Sequence, residues 1–276
     1  MNISIGCIIV TYNPDEQRLK ESINSVLKQC NQILIIDNKS SNIEQIKQII
    51  WHTSNIELIE LDHNYGIAKA LNVGMDKFRE NPMDWILMLD QDTLILCDIR
   101  SIVLKANYKT GIIQMSNIAI NSKNLFFINN VPIIISGSII NGKIIPIGLK
   151  FREEFFLDHV DTDFDFQIRK LGFAILRTAQ KCMDHEWGVK VLIGRNKTKY
   201  TTNLRVYLTV RNGTRLILEK KLSPSIYLSD NCFYIFYNLK KHKNVFSIIL
   251  IVIGGVSDGI FDVFSFKKKF EKLLKI

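Results

Sequence analysis

The sequence contains few of the residues that mark fibrous, disordered or cross-linked proteins. Among 276 residues there are 5 prolines and 14 glycines, which excludes a collagen-like or low-complexity chain. The 5 cysteines are odd in number and none shares a C-x-x-C spacing, so we expect neither a zinc ribbon nor a disulfide framework. A reducing compartment fits this cysteine usage. With 47% hydrophobic residues, a chain of this length can bury a sizeable core.

Long apolar runs are also missing. No stretch reaches the roughly 18 apolar residues that a membrane-spanning helix needs, so we expect none. The first ten residues lack the basic segment and the small-residue cleavage site of a signal peptide. These absences predict a cytoplasmic protein.

The charge of the chain is uneven. The formal net charge is +9, yet residues 1–92 carry 13 acidic and 8 basic side chains, and the basic excess lies further on. A basic chain suggests nucleic-acid binding, a coding bias toward lysine, or attraction to an anionic membrane surface. Because the basic residues flank apolar sequence and form no compact patch, we favour the membrane surface and predict no nucleic acid.

The first hundred residues alternate between strand and helix. Four short apolar runs predict buried strands, at Ile3–Thr11, Gln32–Ile36, Ile56–Leu61 and Trp85–Leu89. Segments with helical spacing of apolar residues lie between them. Continuously apolar strands separated by helices are typical of a parallel sheet covered on both faces.

Each of these strands ends in polar residues, namely Asn13, Asp37, Asn64, and Asp90 with Asp92. Ligands of parallel α/β sheets bind beyond the carboxyl ends of the strands. The four strand ends therefore predict one shared polar site.

The pattern after residue 93 is less regular. We expect short strands at 111–115, 131–140 and 173–176, a hairpin or loop at 121–130, and helices at 164–171 and 204–222.

Asp90 and Asp92 form an Asp-x-Asp pair after a buried strand. Side chains at i and i+2 point to the same side of a strand, so the two carboxylates repel unless a cation lies between them. Mg²⁺ takes such oxygen ligands and bridges to substrate phosphates. The alternative is an ordinary acidic turn, which the position at the end of the fourth strand makes less attractive.

Two other segments carry polar chemistry. Asp37 could accept the imide N–H of uracil or thymine, or cap a helix next to Ser40 and Ser41. Residues 64–74 read N-Y-G-I-A-K-A-L-N-V-G, whose small residues allow a diphosphate close to a helix start or simply pack the helix tightly.

An acidic block follows at 155–172, with the sequence F-F-L-D-H-V-D-T-D-F-D-F-Q-I-R-K-L-G. Its carboxylates suit the first turn of a solvated helix, or a general base at the rim of a site.

These blocks, in this order, resemble a family-two inverting glycosyltransferase with the GT-A fold. The match is to the bacterial rhamnosyltransferase-like branch that builds surface polysaccharide. It rests on V-T-Y-N-P, I-I-D-N, N-x-G-x-A-x-A-x-N-x-G, L-D-Q-D-T and F-L-D-H-V-D-T-D…R-K-L-G, and covers about residues 3–215. The resemblance implies an α/β fold with a Rossmann-like, mostly parallel central sheet flanked by helices and a helical C-terminal extension.

The resemblance also implies site residues. Those expected against the nucleotide-sugar donor are Thr11, Asn13, Asp37, Asn64, Gly66, Lys69, Asn72, Asp90, Gln91 and Arg211. Asp90, Asp92 and His185 would hold a divalent metal, Mg²⁺ or Mn²⁺.

For the base, a gap-free match of the acidic block selects Asp161, with Asp163 as the second choice. The arginine usual after the acidic pair is replaced here by Gln167, and Arg169 lies two residues on. Inversion needs a single displacement with one base, unlike the two carboxyl groups of glycoside hydrolases.

The implied organisation has a catalytic domain at 1–215, divided into a nucleotide-binding half (1–92) and an acceptor half (93–215). Residues 216–276 form a helical segment that contacts a membrane or a second subunit. Its apolar stretch 245–266 has lysines on both sides, which is typical of a helix lying in the membrane interface. A helical hairpin or homodimer is the alternative.

The implied reaction transfers L-rhamnose from dTDP-rhamnose to a lipid-linked saccharide, for O-antigen or capsule, at the inner face of the cell membrane. A UDP-hexose donor is the alternative. A sugar nucleotidyltransferase is a further alternative, but its G-x-G-x-R loop is replaced by Tyr12-Asn13-Pro14-Asp15. Intact Asp90, Asp92 and Asp161 disfavour a non-catalytic binding module.

Overall fold

The computed structural model describes residues 3–119, 126–128, 133–185, 189–193, 196–242 and 244–264. The chain forms two compact units. The first contains Met1–Glu154 and Phe164–Glu186, and the second contains Phe155–Asp163 and Trp187–Ile276.

The first unit holds the alternating strands and helices. Its elements are β1 (Ile5–Thr11), α1 (Glu16–Val26), β2 (Gln32–Asp37), α2 (Ile43–Ile50), β3 (Ile56–Glu60), α3 (Ile67–Glu80), β4 (Trp85–Asp90), β5 (Leu94–Ile95), α4 (Ile99–Val103), β6 (Thr110–Ser116), β7 (Phe126–Ile128), β8 (Ser138–Asn141), a 3-10 turn at Gly142–Ile147, β9 (Ala174–Lys181) and β10 (Met183–Asp184). A second 3-10 turn, Glu153–Phe155, lies at the boundary between the units. Helix α5 (Val160–Lys170) has residues in both units.

An eight-stranded sheet with the order β3-β2-β1-β4-β8-β6-β9-β7 organises the first unit. The pairs among β3, β2, β1 and β4 are parallel, as is the β6–β9 pair, and β8 runs antiparallel to both its neighbours. All seven residues of β1 are buried, because helices cover this strand on both faces. The expected mostly parallel sheet is confirmed.

Local signals explain where two of the helices begin. The Asp15 carboxylate accepts from the Arg18 main-chain N–H and caps α1. Gly66 precedes α3 with φ of 83°, a left-handed conformation that costs glycine little.

The second unit is mainly helical. It contains the hairpin β11 (Val189–Ile193) and β12 (Asn196–Tyr200), and the helices α6 (Asn203–Leu218), α7 (Pro224–His242) and α8 (Val245–Phe261). Gly255 and Gly259 let α8 approach α6 closely, since a Cβ at Gly259 would lie 2.5 Å from the Arg211 carbonyl oxygen. The predicted boundary at residue 215 falls inside α6, a continuous helix.

Most predicted elements agree with the structure, with some shifts. The expected strand at 131–140 is shorter, because within its described part only Ser138–Ile140 belong to β8. Helix α5 begins at Val160, earlier than expected, which places Asp161 in its first turn. Most of the predicted loop at 121–130 lies outside the described residues.

The structure contains one disulfide among the described residues, a bond that the cysteine spacing does not predict. Cys97 and Cys182 are bonded, with their Cα atoms 5.1 Å apart. Cys97 follows β5 and Cys182 precedes β10, and the antiparallel pairing of these two strands brings the cysteines together. A contact across 85 residues leaves no trace in cysteine spacing.

None of the helices in the described part of the chain is both long and apolar enough to cross a membrane.

Candidate active site

The carboxyl ends of β1, β2 and β4 lie side by side. The strand register pairs Thr11 with Asp37 and Val10 with Asp90. The polar residues that follow these strands therefore share one edge of the sheet, as their positions in the sequence predict.

Asp90, Asp92 and His185 meet at this edge. One ligand atom from each residue lies within 4.8 Å of the others. His185 is distant in sequence, but β10 pairs with β5 so that Asp184 lies opposite Leu94. This short ribbon places the residue after Asp184 next to the Asp-x-Asp turn.

The group fits a divalent cation. Asp92 Oδ1 is buried and accepts no hydrogen bond from a described residue, and His185 Nδ1 lies 3.5 Å from it; such an oxygen is costly unless a cation, a proton on the imidazole or solvent satisfies it. Burial by itself would lower the pKa of His185, but the Asp92 and Asp90 carboxylates more than offset this and raise the pKa. The same carboxylates that attract a proton to this imidazole would attract a cation, so the two compete for the site.

Two hydroxyl side chains support the group, and sequence reasoning missed them. The Thr93 hydroxyl lies 2.7 Å from His185 Nδ1 and 2.7 Å from the Ser136 hydroxyl. Ser136 Oγ accepts from the main-chain N–H of Asp90 at 2.9 Å. The imidazole is therefore linked through two hydroxyls to the turn that carries Asp90.

Arg18 holds the same turn from α1. Its Nε donates to the Asp92 carbonyl oxygen at 2.8 Å, and its NH2 group donates to Asp184 Oδ2 at 3.0 Å. The guanidinium thereby joins the Asp-x-Asp turn to the residue before His185. No motif marks Arg18, since its role depends on a contact across 166 residues.

Asp37 is buried at 1% exposure and is bonded within the chain. Its Oδ1 accepts from the hydroxyls of Thr11 and Ser40, and its Oδ2 accepts from the Ser40 main-chain N–H at 2.7 Å. These bonds close a turn after β2, and Asp37 does not cap α2, whose N-cap residue is Asn42. A carboxylate oxygen has two lone pairs, so Oδ2 can still accept one N–H from a base, and the contact with the donor stays a prediction.

The loop after β1 is fixed by side-chain bonds to its neighbours. Asn13 Oδ1 accepts from the main-chain N–H of Ser41 at 2.7 Å, and Gln91 Oε1 accepts from that of Tyr12 at 2.7 Å. Asn13 has φ of 47°, a left-handed conformation that asparagine tolerates. Asn13 and Gln91 thus shape the loop beside the Asp-x-Asp turn.

The start of α3 is built by Asn64 and Gly66, since Asn64 Oδ1 accepts from the Gly66 N–H at 3.0 Å. One turn later, Lys69 pairs with Glu153 at 3.3 Å. Asn72 was expected against the donor, but it is 1% exposed and its amide bonds to both main-chain groups of Phe151. Asn72 therefore fixes the chain around residue 151 to α3 and does not face a ligand in this arrangement.

The two base candidates lie in the second unit and differ in exposure. Asp161 is half-buried, and its Oδ1 accepts from the next main-chain N–H at 2.8 Å. Asp163 is 2% exposed and pairs with Lys221 at 2.7 Å. Burial would lower the pKa of Lys221, but its bonds to Asp163 and Glu219 outweigh this and raise it. The ammonium thus keeps Asp163 in a structural ion pair.

Gln167, which replaces the usual arginine of the acidic block, and the nearby Arg169 both bond within the chain. Gln167 donates to the Lys150 carbonyl oxygen at 3.1 Å, and Arg169 pairs with Asp165 at 2.6 Å. Burial raises the pKa of Asp165 although Arg169 opposes the shift. Arg169 therefore pairs with a residue of its own helix, α5.

Arg211, which is expected at the diphosphate, is buried within the second unit. It is 1% exposed, donates to Val263 and Asp262, and lies with its guanidinium carbon 3.8 Å from the centre of the Phe264 ring. A guanidinium so enclosed offers no donor to a ligand in this arrangement. Its position in the sequence gave no sign of burial, because arginine is rarely buried.

Comparison with known proteins decides the family. The model of the family described as glycosyl transferase family 2 matches residues 7–169. The chain belongs to this family. The match covers the sheet edge, the Asp-x-Asp turn and the acidic block as far as Arg169, and confirms the family that these motifs resemble.

Relatives of this family-2 chain agree in sequence and fold. The dTDP-rhamnosyl transferase RfbF of Shigella flexneri is 27% identical, and the match spans 81% of this chain and 83% of that protein. S. aureus TarS residues 1–349, solved with UDP-GlcNAc, has a TM-score of 0.55 and 16% identity, covering 99% of this chain and 84% of that one. GalNAc-T7 with UDP, GalNAc and Mn²⁺ has a TM-score of 0.56 and 12% identity; the match covers 66% of this chain and 44% of that one. The GT-A fold is thereby confirmed, and the chain is a glycosyltransferase.

Proposed function

We propose that this family-2 glycosyltransferase transfers L-rhamnose from dTDP-rhamnose, with inversion, to a saccharide carried on a lipid for surface polysaccharide such as O-antigen or capsule. The name of the relative RfbF supports the donor, since the similarity spans most of both chains. The nucleotide-binding half is assigned to residues 1–92 and the acceptor half to residues 93–215.

A UDP-hexose is the second candidate donor. It is favoured by the solved structures of similar fold, since TarS is solved with UDP and with UDP-GlcNAc. At 16% identity these structures share the fold alone. A uracil and a thymine base offer the same imide N–H to Asp37, so this carboxylate does not distinguish the two donors.

The observation that carries the proposal is the group of Asp90, Asp92 and His185, with a buried carboxylate oxygen that lacks a hydrogen bond among the described residues. These side chains would hold Mg²⁺ or Mn²⁺. When bound, such a cation neutralises the negative charge that develops on a departing nucleoside diphosphate. GalNAc-T7, solved with UDP and Mn²⁺, is a protein of similar fold that supports this choice.

We assign the role of base to Asp161. The acceptor hydroxyl attacks the anomeric carbon and gives its proton to the carboxylate. The bond from that carbon to the diphosphate oxygen breaks at the same time, and its electron pair leaves with the nucleotide. Asp161 suits this role better than Asp163, because Asp161 is half-buried whereas Asp163 is only 2% exposed.

A panel of nucleotide sugars tests the donor. The full chain with Mn²⁺ is heated with dTDP-rhamnose, UDP-glucose, UDP-GlcNAc and GDP-mannose, and the unfolding midpoint is measured. A ligand at 100 times its Kd adds about 2.7 kcal/mol to the free energy of unfolding. For a chain of this size that is a rise of roughly 5–10 °C. Stabilisation by dTDP-rhamnose alone supports the proposal, and stabilisation by a UDP-sugar alone overturns the choice of donor.

For location, we propose peripheral contact of α8 with the inner face of the cell membrane. The exposed side of α8 is apolar, with Phe246 71%, Ile253 61% and Phe261 72% exposed. Lysines precede and follow this segment in the sequence, and each near an anionic surface adds about 1 kcal/mol of attraction. The competing occupant is a second copy of the chain, forming a dimer.

Charge substitutions test this contact better than truncation, because the other side of α8 packs on α6 through Ile248, Ile251 and the glycines. Phe246→Glu with Ile253→Glu should abolish sedimentation with anionic liposomes at low salt. Trp51→Glu, which alters an equally exposed aromatic residue of the first unit, is the control. If the wild type does not sediment but forms a dimer that the double variant lacks, the membrane proposal is wrong.

A further inference from the structure

The segment before the proposed base has an unusual backbone. Phe156, Asp158 and His159 have φ of 61°, 57° and 58°, and the helix that carries Asp161 begins at the next residue. A non-glycine residue in the left-handed region costs roughly 1–2 kcal/mol. Such a turn persists only where its surroundings fix it.

The Asn212 carboxamide fixes this turn. Its Nδ2 lies 2.9 Å from the carbonyl oxygen of Phe155, 2.8 Å from that of Leu157 and 3.0 Å from that of Asp158. Asn212 itself is fully buried in α6. One amide nitrogen thus lies within hydrogen-bond distance of three carbonyl oxygens of the turn.

Arg211 orients this carboxamide. Its NH1 donates to Asn212 Oδ1 at 2.8 Å, so the amide nitrogen must face the carbonyls. The guanidinium is in turn held by the Val263 carbonyl oxygen at 3.1 Å and the Asp262 carboxylate at 3.3 Å. These hydrogen bonds therefore connect the end of α8, through Arg211 and Asn212, to the turn before α5, and all of them lie within the second unit.

A separate ion pair supports the turn from its outer side. Arg205 pairs with Asp158 at 2.7 Å, and the Tyr234 hydroxyl donates to the same carboxylate at 3.2 Å. These contacts fix one side chain of the turn. The bonds from Asn212 fix its main chain, which determines the direction in which α5 begins.

We propose that Asn212, oriented by Arg211, is a positioning residue for the base Asp161. It acts through the turn and not by touching the substrate. This inference rests on the proposed function, because it needs Asp161 to be the base. A misplacement of about 1 Å in a reacting group can cost about 100-fold in rate, so an incorrectly held turn should lower turnover without altering donor binding.

Asn212→Asp tests this role. The aspartate has the same shape and can still accept from Arg211, but its carboxylate cannot donate to the three carbonyls and is repelled by them. We expect kcat for release of the nucleoside diphosphate, with the nucleotide sugar that stabilises the wild type most, to fall about 10- to 100-fold. The KM for that donor and the Kd for dTDP or UDP with Mn²⁺ should stay within twofold.

Asn203→Asp is the matched control. Asn203 is also a buried asparagine of α6, but its carboxamide accepts from Asn238. At the first residue of α6 an aspartate can still accept from Asn238 and suits the helix start, so this variant should keep its kcat. If Asn212→Asp keeps wild-type kcat, or if both variants lose kcat equally, the positioning role is wrong.

Two further variants complete the test. Should Asn212→Asp fail to fold, Arg211→Lys loosens the carboxamide while keeping the charge beside Asp262, and an unchanged kcat in that variant overturns the proposal. Asp161→Asn separates this inference from the function on which it rests. If Asp161→Asn is fully active, the proposed base is wrong; if it is inactive while Asn212→Asp is fully active, only the positioning role fails.

Discussion

Replacing Arg18 by lysine should weaken metal binding although Arg18 is not a metal ligand. The guanidinium donates to the Asp92 carbonyl at 2.8 Å and to the Asp184 carboxylate at 3.0 Å, and so joins the segments that carry Asp92 and His185. Lysine keeps the positive charge but lacks the planar fork that can bind both groups at once.

The size of the effect follows from these contacts. Hydrogen bonds to charged groups contribute about 1.5–3 kcal/mol each. Because the Arg18 side chain is 24% exposed and lysine can keep one of the two contacts, the expected loss is near the lower bound for a single bond. Residues that orient metal ligands typically change affinity by about 10- to 100-fold. We expect a Kd for Mn²⁺ about tenfold higher in Arg18→Lys, which corresponds to about 1.4 kcal/mol.

Titration of Mn²⁺, with the free ion followed by electron paramagnetic resonance, measures this Kd directly. Arg79→Lys is the control, because Arg79 also donates to a carbonyl oxygen, that of Leu149, and pairs with an aspartate, Asp76, without touching the metal group. Its Kd should equal that of the wild type. If Arg18→Lys binds Mn²⁺ as tightly as the wild type but unfolds at lower denaturant concentration, Arg18 only stabilises the fold and the reasoning is refuted.

Two more predictions concern the second unit. Asp161→Asn should keep donor binding and lose about 10²- to 10⁴-fold in turnover, measured by steady-state kinetics. Asp163→Asn should mainly lose stability, because the ammonium of Lys221 loses one of its two carboxylate partners; the opposite result would mean that Asp163 is the base. Burial lowers the pKa of the His159 imidazole. Below about pH 6.5 this imidazole therefore binds a proton in the unfolded chain but stays neutral in the folded chain. The free energy of unfolding should consequently fall as the pH falls. The slope is at most about 1.4 kcal/mol per pH unit, and urea unfolding between pH 7.5 and 5.5 should show a smaller slope in His159→Gln; equal slopes would contradict the burial of a neutral imidazole.

Periodicity and strand ends were enough to predict the first half of the fold. The runs before Thr11, Asp37 and Asp90 are apolar because helices cover the sheet, and such runs are visible in a single sequence. The position of the Asp-x-Asp pair after the fourth strand was enough to predict that it belongs to the site. Its meeting with His185 came from the resemblance, and its structural cause is the pairing of β5 with β10.

The rest depends on contacts that sequence spacing does not encode. Arg18 and Ser136 belong to no motif, and they act through contacts that the folded chain creates. Arg211 and Asn72 are expected at the donor because of their positions in the motifs. Both are buried, however, and bond to other residues of the chain. Residue type shows what a side chain can bind, and only the packing shows whether it is exposed.

The central claim is that Asp90, Asp92 and His185 together hold the cation on which donor binding depends. Calorimetric titration of dTDP or UDP into the wild type and Asp92→Asn, each with Mn²⁺ and with a chelator, tests it most directly. We predict that the wild type binds the nucleotide tightly with Mn²⁺ and weakly with the chelator, and that Asp92→Asn binds weakly in both cases. Nucleotide binding that is equally tight in all four titrations would contradict the claim.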